Sequence, residues 1–144
     1  MKIKDVMEWL LIADEDLYSA QILNQQARRP YEIICYHCAQ AAEKYLKGYL
    51  AYIDAATPKT YNLSLLLDLC IESNNEFEKI RTECGILNKF TNEIRYPYQF
   101  EIKDEDVLYS ISAVKMIKSI KPINDLIDII SKETKAEKEN NNGQ

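Results

Sequence analysis

A chain with almost nothing to stop a helix is pressed toward one fold class. This one carries only three glycines and four prolines in 144 residues, and its apolar side chains return at intervals of three and four. Val6, Trp9, Leu10, Ala13, Leu17, Ala20 and Leu23 mark one face of a first helix from about Asp5 to Ala27. Asp5 and Glu8 stand at capping-box spacing, with Asp in place of the usual Ser or Thr. Arg28-Arg29-Pro30 breaks the pattern, and Pro30 suits the first turn of the next helix, where its missing N–H costs nothing.

The second helix is expected to run from there to about Asp54, followed by a loop from Ala55 to Tyr61 with Pro58 inside it. A short third helix covers roughly Asn62 to Glu72, and Ser73-Asn74-Asn75 reads as a break. A fourth is expected from Phe77 to Ile94. It ends at Arg95-Tyr96-Pro97-Tyr98, because Pro97 pushes Tyr96 out of the helical region. A fifth begins near Asp104, where three acidic residues complement the positive end of the helix dipole. Pro122 should kink or restart it, and the last segment continues to about Lys132. No helix is apolar all round, so each needs a partner face. The expectation is an all-α, up-and-down bundle of about five helices, four long or medium and one short. A single domain would occupy residues 1–133, and the charged, asparagine-rich stretch 134–144 would form a disordered polar tail.

Charge and patterning remove several function classes. The net charge of −5 argues against a general nucleic-acid clamp, which needs surplus Lys and Arg to replace counterions; DNA is an unlikely partner on this ground. No apolar run approaches the ~20 residues needed to cross a bilayer. The N-terminus lacks a basic segment followed by an apolar one, so a soluble cytoplasmic protein is expected. Cys35 and Cys38 form a CxxC spacing. A redox motif of that kind needs a preceding strand, and a zinc site needs four ligands, whereas Cys70 and Cys84 are not closely paired. Within a helix the two thiols point to the apolar side and act as small hydrophobes. No metal and no cofactor is expected.

The second helix carries the chemistry. At about 100° per residue, His37, Gln40, Lys44 and Lys47 fall within an arc of roughly 80° beside an apolar face. His37, the only histidine, reads either as a ligand contact or acid–base group, or as a helix-edge residue bonded to a neighbour. Gln40 offers both donors and an acceptor. Lys44 and Lys47 would either meet a phosphate or lie solvated over apolar surface, with Glu43 pairing to Lys47 at i,i+4. Arg95, fixed by Pro97, would take a phosphate or carboxylate bidentately, or form a salt bridge to Asp16 or Glu43. Tyr96 and Tyr98 flank Pro97 and would line a groove. Tyr45, Tyr49 and Tyr52 fall on the apolar face and read as core or dimer interface.

Three stretches together resemble the HEPN family (higher eukaryotes and prokaryotes nucleotide-binding domain). They are Trp9 with Ala13, Asp16, Leu17 and Ala20; His37-x-x-Gln40-Ala41-x-Glu43-Lys44-x-Leu46-Lys47-x-x-Leu50; and Leu87-Asn88 followed by Arg95-Tyr96-Pro97. The second is close to the family's "H-x-Q-Q-A-A-E-K-x-L-K-A-x-L" core. The resemblance implies a helical bundle that forms a homodimer. Many members pair with a minimal nucleotidyltransferase, often as toxin and antitoxin. Such a module is expected to bind a nucleotide or RNA, or to dock a nucleotidyltransferase, at a polar groove lined by His37, Gln40, Lys44, Lys47, Arg95 and Tyr96. Some members are metal-independent ribonucleases with an Arg, four to six residues, then His. Here that pair is absent, since Phe100, Glu101 and Ile102 stand after Arg95. Tyr61-Asn62-Leu63 also stands where the family often has "H-x-L", and tyrosine cannot move a proton near neutral pH as histidine can. A non-catalytic module is therefore the first expectation. A ribonuclease using His37 and Arg95 across a dimer is the second, and a purely structural dimerisation module the third.

Overall fold

The computed structural model describes residues 2–91 and 101–143. Among them are six α-helices and no strand: α1 Ile3–Asn24, α2 Tyr31–Tyr52, α3 Leu63–Ser73, α4 Arg81–Asn88, α5 Asp104–Ser119 and α6 Lys121–Asn142, with a 3₁₀ segment at Asn75–Ile80. The expected all-α bundle is what is found, and none of these helices is long and apolar enough to cross a membrane.

α1 and α2 form the central hairpin. Asp16 meets His37, Asp14 meets Tyr45, and Leu10 lies against Gly48. One number falls as the other rises, so the two helices run antiparallel. Their inner faces are rich in small residues, including Ala13, Ala20, Ala39, Ala41 and Ala42, all fully buried. Gly48 marks the tightest approach: a Cβ there would stand 3.1 Å from Leu10 Cδ2 and 3.3 Å from Trp9 Cβ. α5 returns along this hairpin. Arg29 in the α1–α2 turn pairs with Asp104 at 2.6 Å, and Lys118 near the end of α5 pairs with Asp14 at 3.0 Å.

α3 and α4 make a second, smaller antiparallel pair. The Leu63 N–H donates to Asn88 Oδ1 at 2.9 Å, while Asp68 meets Arg81 at 3.0 Å. α3 begins where the sequence suggests, because the Asn62 side chain accepts from the Ser64 and Leu65 N–H groups. The break at Ser73-Asn74-Asn75 is also found, and Asn74 caps the 3₁₀ segment by accepting from the Glu76 N–H. The single fourth helix expected over Phe77–Ile94 is instead this 3₁₀ segment followed by α4, which closes at Asn88. Its expected end at Ile94 lies outside the described residues.

Pro122 restarts the chain rather than kinking it. Ile120 is extended (φ −63°, ψ 149°), and Pro122 sits in the first turn of α6. α6 then runs ten residues past the expected end at Lys132, through most of the stretch read as a disordered tail. The physical reason is in the composition: no Gly or Pro stands between Pro122 and Gly143, and the stretch past Ile130 carries the helix formers Lys and Glu. Past Ile130 its side chains are exposed apart from Thr134, which is half-buried.

The core is one cluster in which α2 is central. Tyr45, Leu46, Leu50, Phe77, Leu87 and Ile117 are among its largest fully buried members. Tyr45 and Tyr49 are buried and Tyr52 packs on the cluster, as their place on the apolar face implies. Tyr49 packs against Phe77 with the rings tilted at 55° and their centroids 4.5 Å apart. Cys35, Cys38, Cys70 and Cys84 are free and buried, so the CxxC pair is core packing.

Candidate functional site

The edge of α2 that faces the outer flank of α1 holds two neighbouring polar groups, the His37–Asp16 pair and the cluster Gln40–Lys44–Glu43–Lys47. Their members sit three and four residues apart on α2, and α1 supplies the opposing groups at antiparallel register. His37 Nδ1 lies 2.9 Å from Asp16 Oδ1, with side-chain exposures of 27% and 19%. A carboxylate only accepts, so Nδ1 carries the ring proton in this pair and donates it. Nε2 is left as the nitrogen available to a ligand. The Tyr36 ring lies beside the imidazole, tilted at 59° with centroids 6.0 Å apart.

One turn further along, the Lys44 ammonium donates to Gln40 Oε1 at 2.8 Å and to Glu43 Oε2 at 3.1 Å. Lys44 thereby uses two of its three N–H donors, and Gln40 uses its acceptor while keeping both amide donors. Both residues are half-buried. Another turn on, Lys47 donates to the same Glu43 oxygen at 3.0 Å and sits 5.6 Å from the centre of the Trp9 ring. The anticipated Glu43–Lys47 pair is therefore present, but neither side chain is solvated: their exposures are 9% and 8%. Lys47 is held between a carboxylate and an aromatic face, which suits a cation withdrawn from water. It braces the network and does not reach outward to a phosphate.

On the opposite side of α1 the Tyr45 hydroxyl donates to Asp14. Burial and the adjacent Asp14 carboxylate push this phenol far above the ordinary tyrosine range. It is a locked structural contact, reinforced by Lys118, which pairs with Asp14 and lies 5.9 Å from the Tyr45 ring centre.

The structure thus brings His37, Gln40 and Lys44 to one half-buried edge, with Lys47 beneath them. Arg95 and Tyr96 lie outside the described residues. Three residues complete the constellation from outside the row singled out on α2. Asp16 orients the imidazole, Glu43 gathers both ammonium groups, and Trp9 covers Lys47. Their signal in the sequence is faint but present, since Trp9 and Asp16 stand seven residues apart on one flank of the first helix. Among the described residues no group of His, Cys, Asp and Glu is arranged to hold a metal ion.

Comparison with known proteins agrees with this fold. The sequence profile of the HEPN domain matches residues 6–126, which includes α1, α2 and the network between them. The chain superposes on the crystal structure of an archaeal HEPN homologue with a TM-score of 0.65, covering 90% of this chain and 99% of that one. Their identity is 24%, so the likeness is one of fold. No curated protein matches the chain. A profile spanning nearly the whole bundle, together with a solved relative of the same architecture, leads to one conclusion: this protein belongs to the HEPN domain family.

Proposed function

We propose that this HEPN domain is a non-catalytic binding module that takes a nucleotide or an RNA segment at the α2 edge. In this reading it works as a homodimer beside a minimal nucleotidyltransferase, in a system of toxin–antitoxin type. One observation carries the binding role. Along the row His37–Gln40–Lys44, the internal bonds leave groups free for a ligand: an acceptor at Nε2 of the imidazole, and donors at the amide N–H groups of Gln40 and one N–H of Lys44. Three neighbouring side chains of that kind suit phosphate oxygens and base edges. Binding, and not cleavage, is the first reading because the family's ribonuclease spacing of Arg and His is missing from the sequence.

Isothermal titration with ATP, GTP and a short single-stranded RNA tests this. Binding of at least one is expected, with Lys44→Ala and Gln40→Ala each weakening it about tenfold through lost charge-assisted and amide hydrogen bonds. No heat with any of the three, and none with a co-expressed nucleotidyltransferase, sinks the reading.

The His37–Asp16 pair specifically favours a second reading, a metal-independent ribonuclease. A carboxylate that fixes the imidazole leaves Nε2 poised to accept the proton of an attacking 2′-hydroxyl. Arg95 would stabilise charge on the phosphate. Labelled RNA incubated in EDTA decides: cleavage by the wild type that disappears in His37→Ala would promote this reading above the first.

A further inference from the structure

The arc of α2 that holds His37, Gln40, Lys44 and Lys47 contains one more position. At about 100° per residue Ala51 falls inside it, one turn beyond Lys47. The row of long polar side chains therefore ends on a methyl group, and a hollow opens there. Its volume is about 390 Å³, within the range of about 300–1,000 Å³ common to small-ligand clefts. α2 and the loop after it contribute Ala51 and Thr57, and α1 contributes Asp5, Glu8, Trp9 and Ile12.

The chemistry of this hollow differs from that of the row. Trp9 lines it, and an indole is a stacking surface for a nucleobase. Ile12, 42% exposed, adds an apolar edge beside the ring. Asp5 and Glu8 are exposed carboxylates one turn apart, and among the described residues neither enters an ion pair. A carboxylate only accepts hydrogen bonds, so a base that meets one must present donors. Guanine is the common base whose Watson–Crick edge sets two N–H donors side by side, at N1 and N2. A carboxylate takes both at once, much as it takes the fork of a guanidinium. Adenine and cytosine instead pair one amino group with a ring acceptor, and uracil sets one N–H between two carbonyls.

The register supplies phosphate donors at the other end. Lys44 and Gln40 keep N–H groups for phosphate oxygens, and Lys47 over the Trp9 ring lies between them and the hollow. Seven residues separate Lys44 from Ala51, a rise of about 10.5 Å along the helix. That exceeds the step from a nucleotide's own 5′-phosphate to its base, and suits a polyphosphate tail. We infer that the hollow beside Trp9 is the base subsite of the α2 edge and selects guanine, the tail of a guanosine triphosphate reaching back to Lys44. The inference rests on the nucleotide-binding role proposed above and names the nucleotide.

Isothermal titration of the full chain with GTP, ATP, ITP, GMP and AMP tests it. GTP should bind about tenfold more tightly than ATP, and ITP, which lacks the 2-amino group, should fall about tenfold below GTP. Asp5→Asn combined with Glu8→Gln should remove the preference for GTP without weakening ATP. Both side chains are exposed, so the melting temperature should hold. Ala51→Leu fills the hollow and should weaken GTP and GMP alike. GMP separates the subsite from the row: it occupies the hollow without reaching Lys44, so Lys44→Ala should leave it unchanged while the paired acid substitutions weaken it. Equal affinity for GTP and ATP, or GMP binding that ignores the acid substitutions, overturns the subsite and leaves the binding role standing. A guanine preference that persists while GTP ignores Lys44→Ala supports the hollow and overturns the row as its phosphate end. No binding of any of these nucleotides overturns both.

Discussion

At the scale of single residues, burial sets what each polar or ionisable group can do. The thiols show this most plainly. Desolvation pushes Cys38 and Cys84 up to about 12 from an ordinary value of 9.0. In the unfolded chain both ionise near the ordinary value, while in the native protein they hold their protons to about 12. Between those limits the unfolded state binds fewer protons than the native one, so stability must fall as pH rises. Urea midpoints measured upward from pH 8 should therefore be flat at first and decline above about pH 9. Cys38→Ala combined with Cys84→Ala should flatten part of that decline. Native thiols should also resist alkylation at pH 8, because the thiolate is the reactive species.

The sequence exposed some of these residue-level facts and hid others, for a definite reason. A single helix discloses its own faces, so the row His37–Gln40–Lys44–Lys47 and the Glu43–Lys47 pair were legible from spacing. What spacing does not contain is the register between helices. The pairing of His37 with Asp16 and the burial of Lys47 under Trp9 depend on how far α1 slides along α2. Asp16 was read only as one of two acids, with Glu43, open to Arg95, which lies outside the described residues; nothing local announced that Asp16 would meet His37.

At the scale of elements, two glycines inside helices have opposite reasons to exist. Gly48 is where α1 and α2 come closest. Gly48→Val should cost about 1–3 kcal/mol by overpacking, read as a drop in melting temperature. Gly85 in α4 has nothing within 4 Å of the site a Cβ would take, so Gly85→Ala should stabilise by about 0.5–1 kcal/mol through helix propensity alone. Caps follow the same logic. Asn62→Ala removes the acceptor for two N–H groups of α3 and should cost about 1 kcal/mol. The starts of α3 and α6 were readable in advance because the Asn62 cap and Pro122 are local signals, whereas α1 opens at Ile3 with no side-chain cap, so the expected Asp5–Glu8 box does not start it. The fourth helix was not readable either, because its first turns tighten into a 3₁₀ segment after Asn74, where tertiary packing of Phe77 and Ile80 overrides helical periodicity. The far end of α6 was misjudged for the reverse reason: a polar composition says little against a helix when no breaker interrupts it.

At the scale of the molecule, the bundle depends on α6 only up to Ile130, the last of its buried residues. A chain ended after Lys135 should keep its melting temperature within a few degrees, since the lost side chains are exposed. A chain ended after Asp125 loses Leu126 and Ile130 from the core and should unfold at far lower temperature.

The seat of Lys47 over Trp9 has a practical consequence. The chain has a single tryptophan, and its indole is in contact with the charge network that runs to Lys44 and Gln40. Any guest that draws on those donors must shift the electrostatic field at the ring. The protein therefore carries its own optical gauge: emission wavelength and quenching of one intrinsic fluorophore should report occupancy of the α2 edge without a dye, a tag or a second chromophore.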